Sequence, residues 1–173
     1  MRLFIAVNLN DKTRKLLLEV QEQLRSQCFT GNFTRPENLH LTLAFLGETP
    51  EDSLPFLFRI MEEIKVSPFE ISFNHTGCFS HSRKELWWIG AGKNDPGLQL
   101  LNGIHGQLLS RLLDAHFSVD ERPFNPHITL GREIKHSGPI TLALPEITVK
   151  ADRISLMKSE RLRSVLTYTE LSI

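Results

Sequence analysis

The chain has 173 residues, 40% hydrophobic and 23% charged, with 20 basic residues balancing 20 acidic ones. This length fits one domain, or two small lobes on one core, and buries enough surface to fold without a metal or disulfide staple. Zero net charge argues against a non-specific duplex binder, which needs excess Lys and Arg for many phosphate contacts, but leaves room for a site holding one phosphate.

Met1 to Val7 is apolar but too short for a signal peptide or a spanning helix, and polar residues follow at once. Residues 2–8 therefore predict a buried strand. Asp11 is expected to cap a helix of about 15 residues, with Leu16, Leu17, Val20 and Leu24 at helical spacing. Leu39 to Leu46 alternates around a polar pair and ends at Gly47, a strand pattern. Pro50-Glu51-Asp52 opens a second helix running through Ile64. Phe69 to Phe73 and Leu86 to Ala91 predict paired strands, with His75 to Arg83 as a long loop. Asp95-Pro96-Gly97 starts a third helix, buried along Leu98, Leu101, Ile104, Leu108, Leu109, Leu112 and Leu113. A strand at His127 to Leu130 and closing strands at 147–156 and 164–171 complete the pattern. No low-complexity segment or tether divides it, so residues 1–173 read as a single bilobal domain.

Cys28 and Cys78 sit in no metal-ligand spacing and read as reduced thiols, which suits a cytoplasmic protein. Lys150, Arg153, Lys158, Arg161 and Arg163 make one stretch locally basic against Asp152 and Glu160. It reads as a solvated face, or as a face that partly reaches an anionic ligand.

One phrase occurs twice. Arg35-Pro-Glu-Asn-Leu-His40-Leu-Thr42-Leu43 returns as Arg122-Pro-Phe-Asn-Pro-His127-Ile-Thr129-Leu130, with six of nine positions identical and the histidines 87 residues apart. Residues i and i+2 of a strand share a face. His40 and Thr42 then point one way, and Leu39, Leu41, Leu43 and Phe45 the other. His127 and Thr129 likewise oppose Ile128 and Leu130. If a pseudo-twofold axis relates the copies, two His and two Thr surround one groove. A neutral imidazole can take a proton from an attacking hydroxyl while a protonated one supplies the leaving oxygen. Threonine hydroxyls can donate to the non-bridging oxygens of a phosphodiester. Strict alternation puts Arg132 on the wrong face, unless a bulge at Gly131 turns it into the groove.

At these residues the chain resembles the 2H phosphoesterases, in their branch of RNA 2′,3′-cyclic phosphodiesterases, also called 2′-5′ RNA ligases. The words that carry the resemblance are Asn38-Leu-His-Leu-Thr-Leu-Ala-Phe-Leu-Gly-Glu48 and Arg122-Pro-Phe-Asn-Pro-His-Ile-Thr-Leu-Gly-Arg132, with Arg2-Leu-Phe-Ile-Ala-Val7 and Trp87-Trp88-Ile89-Gly90 in support. The resemblance covers essentially the whole chain. It implies an α+β fold of two pseudo-symmetric lobes, each an antiparallel sheet backed by helices, around a central groove. It implies metal-independent opening of an RNA 2′,3′-cyclic phosphate to a 2′-phosphate with no cofactor, and reversible ATP-independent 2′-5′ joining of RNA ends. Carried over, His40 and His127 are the catalytic pair, and Thr42, Thr129 and Arg132 bind the substrate phosphate. The order expected for the pair is His40 as acid and His127 as base, although two similar imidazoles do not dictate it. RNA ends or small cyclic nucleotides are the expected partners, and a monomer is the default state.

Other residues have plainer readings. His75 and His81 fall in the loop before Trp87, and His105 and His116 belong to the third helix or its end. A zinc site on His40 and His127 lacks a third ligand nearby in the pattern, and His136 completes no metal spacing either. At most one of Trp87 and Trp88 faces the groove. Phe33 and Phe79 can stack a base but read more readily as packing. Arg35 and Arg122 read as ties for the turns into their strands. A non-catalytic binder of an RNA end remains the second function class, and turnover of a cyclic nucleotide separates the two.

Overall fold

The computed structural model describes residues 1–81, 84–120 and 122–172. Among the described residues, nine strands and three helices follow one another as β1 (Arg2–Asn8), α1 (Asp11–Ser26), β2 (Thr30–Phe33), β3 (His40–Glu48), α2 (Leu54–Glu63), β4 (Phe69–His81), β5 (Lys84–Ala91), α3 (Pro96–Asp114), β6 (His127–Lys135), β7 (Ile147–Ala151), β8 (Ser155–Leu162) and β9 (Val165–Leu171). They form a four-stranded sheet ordered β3-β1-β8-β9 and a five-stranded sheet ordered β2-β6-β5-β4-β7. Every strand pairing is antiparallel. The expected α+β architecture of two sheets backed by helices is present. The sheets do not coincide with sequence halves, because β2 joins the second sheet and β8 and β9 join the first.

The alternation of β1 decides its packing. Leu3, Ile5 and Val7 point into the core at 2% exposure or less, while Phe4 and Ala6 join a separate cluster with Met157 and Tyr168 on the other face. One continuous core runs behind both sheets and takes in Leu17, Val20 and Leu24 of α1 and Leu101, Ile104, Leu108 and Leu112 of α3. Each such side chain contributes roughly 1.5–3 kcal/mol by leaving water. Helix α1 lies against β2, β6 and β7, whereas α3 touches both β3 and β4.

Several details differ from the sequence reading. Asn10, not Asp11, caps α1: its Oδ1 accepts from the Thr13 amide at 2.8 Å. The stretch 51–53 is a 3₁₀ turn that precedes α2. The α3 stripe is narrower than its leucine count suggests, with Leu113 exposed and Leu98 and Leu109 only half-buried. Strand β4 does not end at Phe73. It continues to His81 and pairs with β5 from Phe73↔Ala91 to His81↔Lys84, so most of the expected loop is strand; Ser82 and Arg83 lie outside the described residues. The 147–156 stretch is two strands: the chain leaves the five-stranded sheet after Ala151 and enters the four-stranded one at Ser155. Strand β2 has no counterpart in the sequence reading.

Candidate active site

The two copies of the repeated phrase open β3 and β6, and each passes through the same irregularity. Along β3, Ala6 pairs Thr42 and Ile5 pairs Ala44, which leaves Leu43 as an extra residue. Along β6, Trp88 pairs Thr129 and Trp87 pairs Gly131, which leaves Leu130 as an extra residue. Each bulge resets the alternation. Leu43 with Ala44, and Leu130 with Gly131, face the core, so the residue five places after each histidine turns to the front. In the second copy that residue is Arg132, as the bulge at Gly131 allows. In the first copy it is Phe45, a correction to its expected place on the apolar face. Phe45 is 50% exposed and lies 6.1 Å from the Phe4 ring on the His40 side of the sheet, while Leu46 takes the buried place.

The second bulge is held from behind. Gln21 of α1 is 5% exposed, and its amide Nε2 donates to the carbonyls of Thr34 and Leu130, both at 2.8 Å. The Thr34 hydroxyl donates to the Thr129 carbonyl at 2.8 Å. No sequence signal marks Gln21, since a lone glutamine on a helix reads as solvated.

Both imidazoles are oriented alike. His40 Nδ1 lies 2.6 Å from the Asn38 carbonyl, and His127 Nδ1 lies 2.7 Å from the Asn125 carbonyl. A carbonyl only accepts, so Nδ1 carries the hydrogen and Nε2 is the free, basic atom. The Asn38 side chain is buried and donates to the Leu166 carbonyl of β9 at 2.9 Å, which fixes that turn. His40 Nε2 accepts from the Thr42 hydroxyl at 2.8 Å. The rings also have aromatic neighbours. Phe4 and Tyr168 stand 4.8 and 5.2 Å from His40, and Phe79 and Trp88 stand 5.4 and 5.9 Å from His127.

Burial pushes His40 below the ordinary imidazole value; its bond to the Asn38 carbonyl opposes this, and the charges of Arg132 and His127 add to the lowering. Burial also lowers His127, against its bond to the Asn125 carbonyl, and Arg132 lowers it further. The Arg132 guanidinium thus acts on both rings, and His127 acts on His40. Arg132 is exposed, and among the described residues no carboxylate lies within ion-pair distance of it. The arrangement therefore joins two imidazoles with their Nε2 atoms free of the main chain, two threonines on the same strand faces and one unpaired cation. Such a set can move two protons around a bound anion.

The chain belongs to the LigT-like phosphoesterase family. The family model LigT like Phosphoesterase matches residues 7–88 and 93–168. An RNA 2′,3′-cyclic phosphodiesterase of Thermus thermophilus is 30% identical over 176 residues, covering 99% of this chain and 88% of the relative. One from Archaeoglobus fulgidus is 33% identical over 140 residues, covering 80% and 76%. The structure of Escherichia coli LigT complexed with 3′-AMP superposes with a TM-score of 0.83 at 27% identity, covering 99% of this chain and 95% of that one.

Within this LigT-like frame the remaining candidates separate. Of the two tryptophans, Trp88 lies on the His127 side of the sheet, its ring 5.9 Å from that imidazole. It lies on a bed made by Gly77 and Gly90, where a Cβ would sit 2.5 and 2.7 Å from its ring. Phe79, 44% exposed, packs 5.3 Å from Trp88 on the groove side. Phe33 lies elsewhere, under the Arg25 guanidinium at 3.9 Å and against the core. Arg35 pairs with Glu37 and Arg122 with Asp120, so both cations are held within their own turns. In the basic stretch, Lys150, Arg153 and Lys158 are paired with Asp152, Glu170 and Glu160. His105 stacks on Phe124 at 3.9 Å, and His136 binds Glu85 at 2.9 Å. Among the described residues, no group of three or more His, Cys, Asp or Glu is arranged to hold a metal ion. Among them, too, no helix is long and apolar enough to cross a membrane.

Proposed function

We propose that this protein hydrolyses RNA 2′,3′-cyclic phosphate ends to 2′-phosphates, as a cytoplasmic monomer, with His40 and His127 as an acid–base pair. The observation that carries the reading is the matched tethering of the two rings: each gives its Nδ1 hydrogen to the carbonyl two residues upstream, which leaves Nε2 for chemistry. The relatives' name supplies the substrate class, and the nucleotide in the LigT complex, 3′-AMP, is a ribose bearing a phosphate.

In this mechanism His127 Nε2 takes a proton from water as the water oxygen bonds to phosphorus. His40, protonated at Nε2, delivers its proton to O3′ as the P–O3′ bond breaks. The products are a free 3′-hydroxyl and a 2′-phosphate, with the proton now on His127 and returned through solvent. Arg132 takes two phosphate oxygens bidentately, and the Thr42 and Thr129 hydroxyls donate to the oxygens where charge accumulates. Burial disfavours the charged form of His40 in the free protein, and the incoming phosphate anion offsets that by favouring the imidazolium. Replacing water by the 5′-hydroxyl of a second RNA gives a 2′-5′ linkage with the same groups, a step that needs no ATP.

Incubation with a 2′,3′-cyclic nucleotide in excess EDTA tests the reading. A 2′-phosphate product is expected. A 3′-phosphate shows that the other ester bond breaks, and tight binding without turnover shows a binder.

A further inference from the structure

On the five-stranded sheet, one row of the front face runs straight out of the active site. His127 of β6 pairs with Gly90 of β5, and Gly90 pairs with His75 of β4. Gly90 has no side chain, and a Cβ there would sit 2.8 Å from the His75 ring. The Trp88 and His75 rings cover Gly90, so the row is an aromatic floor between two imidazoles, two strand spacings wide, or about 10 Å. The His75 ring stands edge-on to Trp88 at 5.4 Å, which continues the aromatic surface around His127. Beyond His75 lies an open cleft of about 600 Å³, walled by Ser72, Asn74, His75, Lys93, Asn94 and Asp95.

The chemistry of that wall is selective. Asp95 sits at the start of α3 with its oxygens already committed to the Gly97 amide at 2.8 Å and the Ser72 amide at 3.1 Å. Its negative charge at the helix N-terminus disfavours a dense polyanion there. Asn74 and Asn94 each offer a donor and an acceptor, the pattern of a nucleobase edge. His75 offers a ring face for stacking, and Lys93 one cation for a single phosphodiester.

Resting on the RNA-end reading, we infer that this cavity is the subsite for the nucleotide 5′ of the cyclic end. The cyclic phosphate sits between His40 and His127, and the strand runs over the Trp88 and His75 rings that cover Gly90. The penultimate base enters between His75 and the asparagines, with its phosphate at Lys93. The protein is then an enzyme of RNA ends that treats a mononucleotide as a truncated substrate.

The test compares a 2′,3′-cyclic mononucleotide with a pentaribonucleotide carrying the same end, in the intact protein and in Lys93→Ala, Asn74→Ala and Ser72→Phe, the last chosen to fill the cavity. Each variant is expected to lower kcat/KM for the pentaribonucleotide about tenfold and to leave the mononucleotide within twofold. Equal losses on both substrates, or none on either, overturn the subsite. Binding of a fluorescently labelled pentaribonucleotide with an ordinary 3′-hydroxyl gives a readout that needs no turnover. Weakening of at least fivefold in the variants supports the cavity, and unchanged binding overturns it. Loss of mononucleotide turnover in the intact protein counts against the catalytic reading alone.

Discussion

In the proposed mechanism Arg132 both holds the phosphate and lowers the two imidazoles, and replacing it by methionine lets the two effects be read separately. A hydrogen bond to a charged group is worth about 1.5–3 kcal/mol, and a guanidinium fork makes two. Because Arg132 is exposed, solvent screening places the loss in the lower half of the summed range, about 3–4 kcal/mol. At about 1.4 kcal/mol per decade, kcat/KM is expected to fall roughly a hundred- to thousandfold. The same charge depresses both His40 and His127. Its removal therefore raises both imidazoles, and the residual activity should peak at higher pH. Steady-state hydrolysis of a 2′,3′-cyclic nucleotide between about pH 5 and 8, in EDTA, reads both quantities. Arg132→Lys keeps the charge without the fork, so it should restore the pH profile but only part of the rate. A loss below tenfold, or a profile that stays put or moves towards acid, refutes the action of Arg132 on the phosphate and on both rings.

Single alanine variants of the histidines should each cost about 10²–10⁴ in rate. His127→Ala should abolish the acidic limb of the pH–rate profile and His40→Ala the alkaline limb; the opposite pairing reverses the assigned roles. Gln21→Leu strands the Thr34 and Leu130 carbonyls behind the bulge, so urea unfolding should show a loss of about 1–3 kcal/mol, and an unchanged midpoint means the bulge is held by other contacts. Glu85 and His136 form a pH-dependent tie. The hydrogen bond to Glu85 holds His136 above its ordinary value, so its contribution is present at low pH and lost as pH rises through the raised pKa. Burial pushes Glu85 up, but bonds from His136 and Trp87 outweigh it and keep the carboxyl low; its contribution is lost as pH falls through the depressed pKa. Glu85→Gln should therefore cost more stability at about pH 5.5 than at about pH 9, and equal thermal shifts at the two values dismiss the tie.

Much of this architecture is legible in the sequence because alternation is a strong signal. Leu3, Ile5 and Val7 and the His-x-Thr pairs declare their faces by period alone. Gly131 flags the bulge that turns Arg132, because glycine inside a strand pattern is a recognisable irregularity. The matching bulge at Leu43 has no glycine, so alternation alone puts Phe45 on the wrong face. His75 to Ser80 reads as loop by composition, yet pairing with β5 makes it strand, and Gly77 is there to seat Trp88. The alternation slips phase at Asp152-Arg153, the point where the chain changes sheet, and a single strand over 147–156 ignores that slip. Asn38 and Asn125 act through main-chain carbonyls, atoms that every residue possesses and no side chain advertises.

The paired kinks at Leu43 and Leu130 carry a consequence for direction. In the proposed mechanism, two matched strands that each carry a histidine and a threonine offer an ester two opposite ways to enter, with the imidazoles exchanging duties between them. Delivering a guanidinium from one kink and a phenyl ring from the other removes that ambiguity. A phosphate turned end for end would meet a hydrocarbon surface where it needs a cation. In the proposed mechanism, the difference at a single matched pair, Phe45 and Arg132, is what distinguishes the imidazole that donates from the one that accepts.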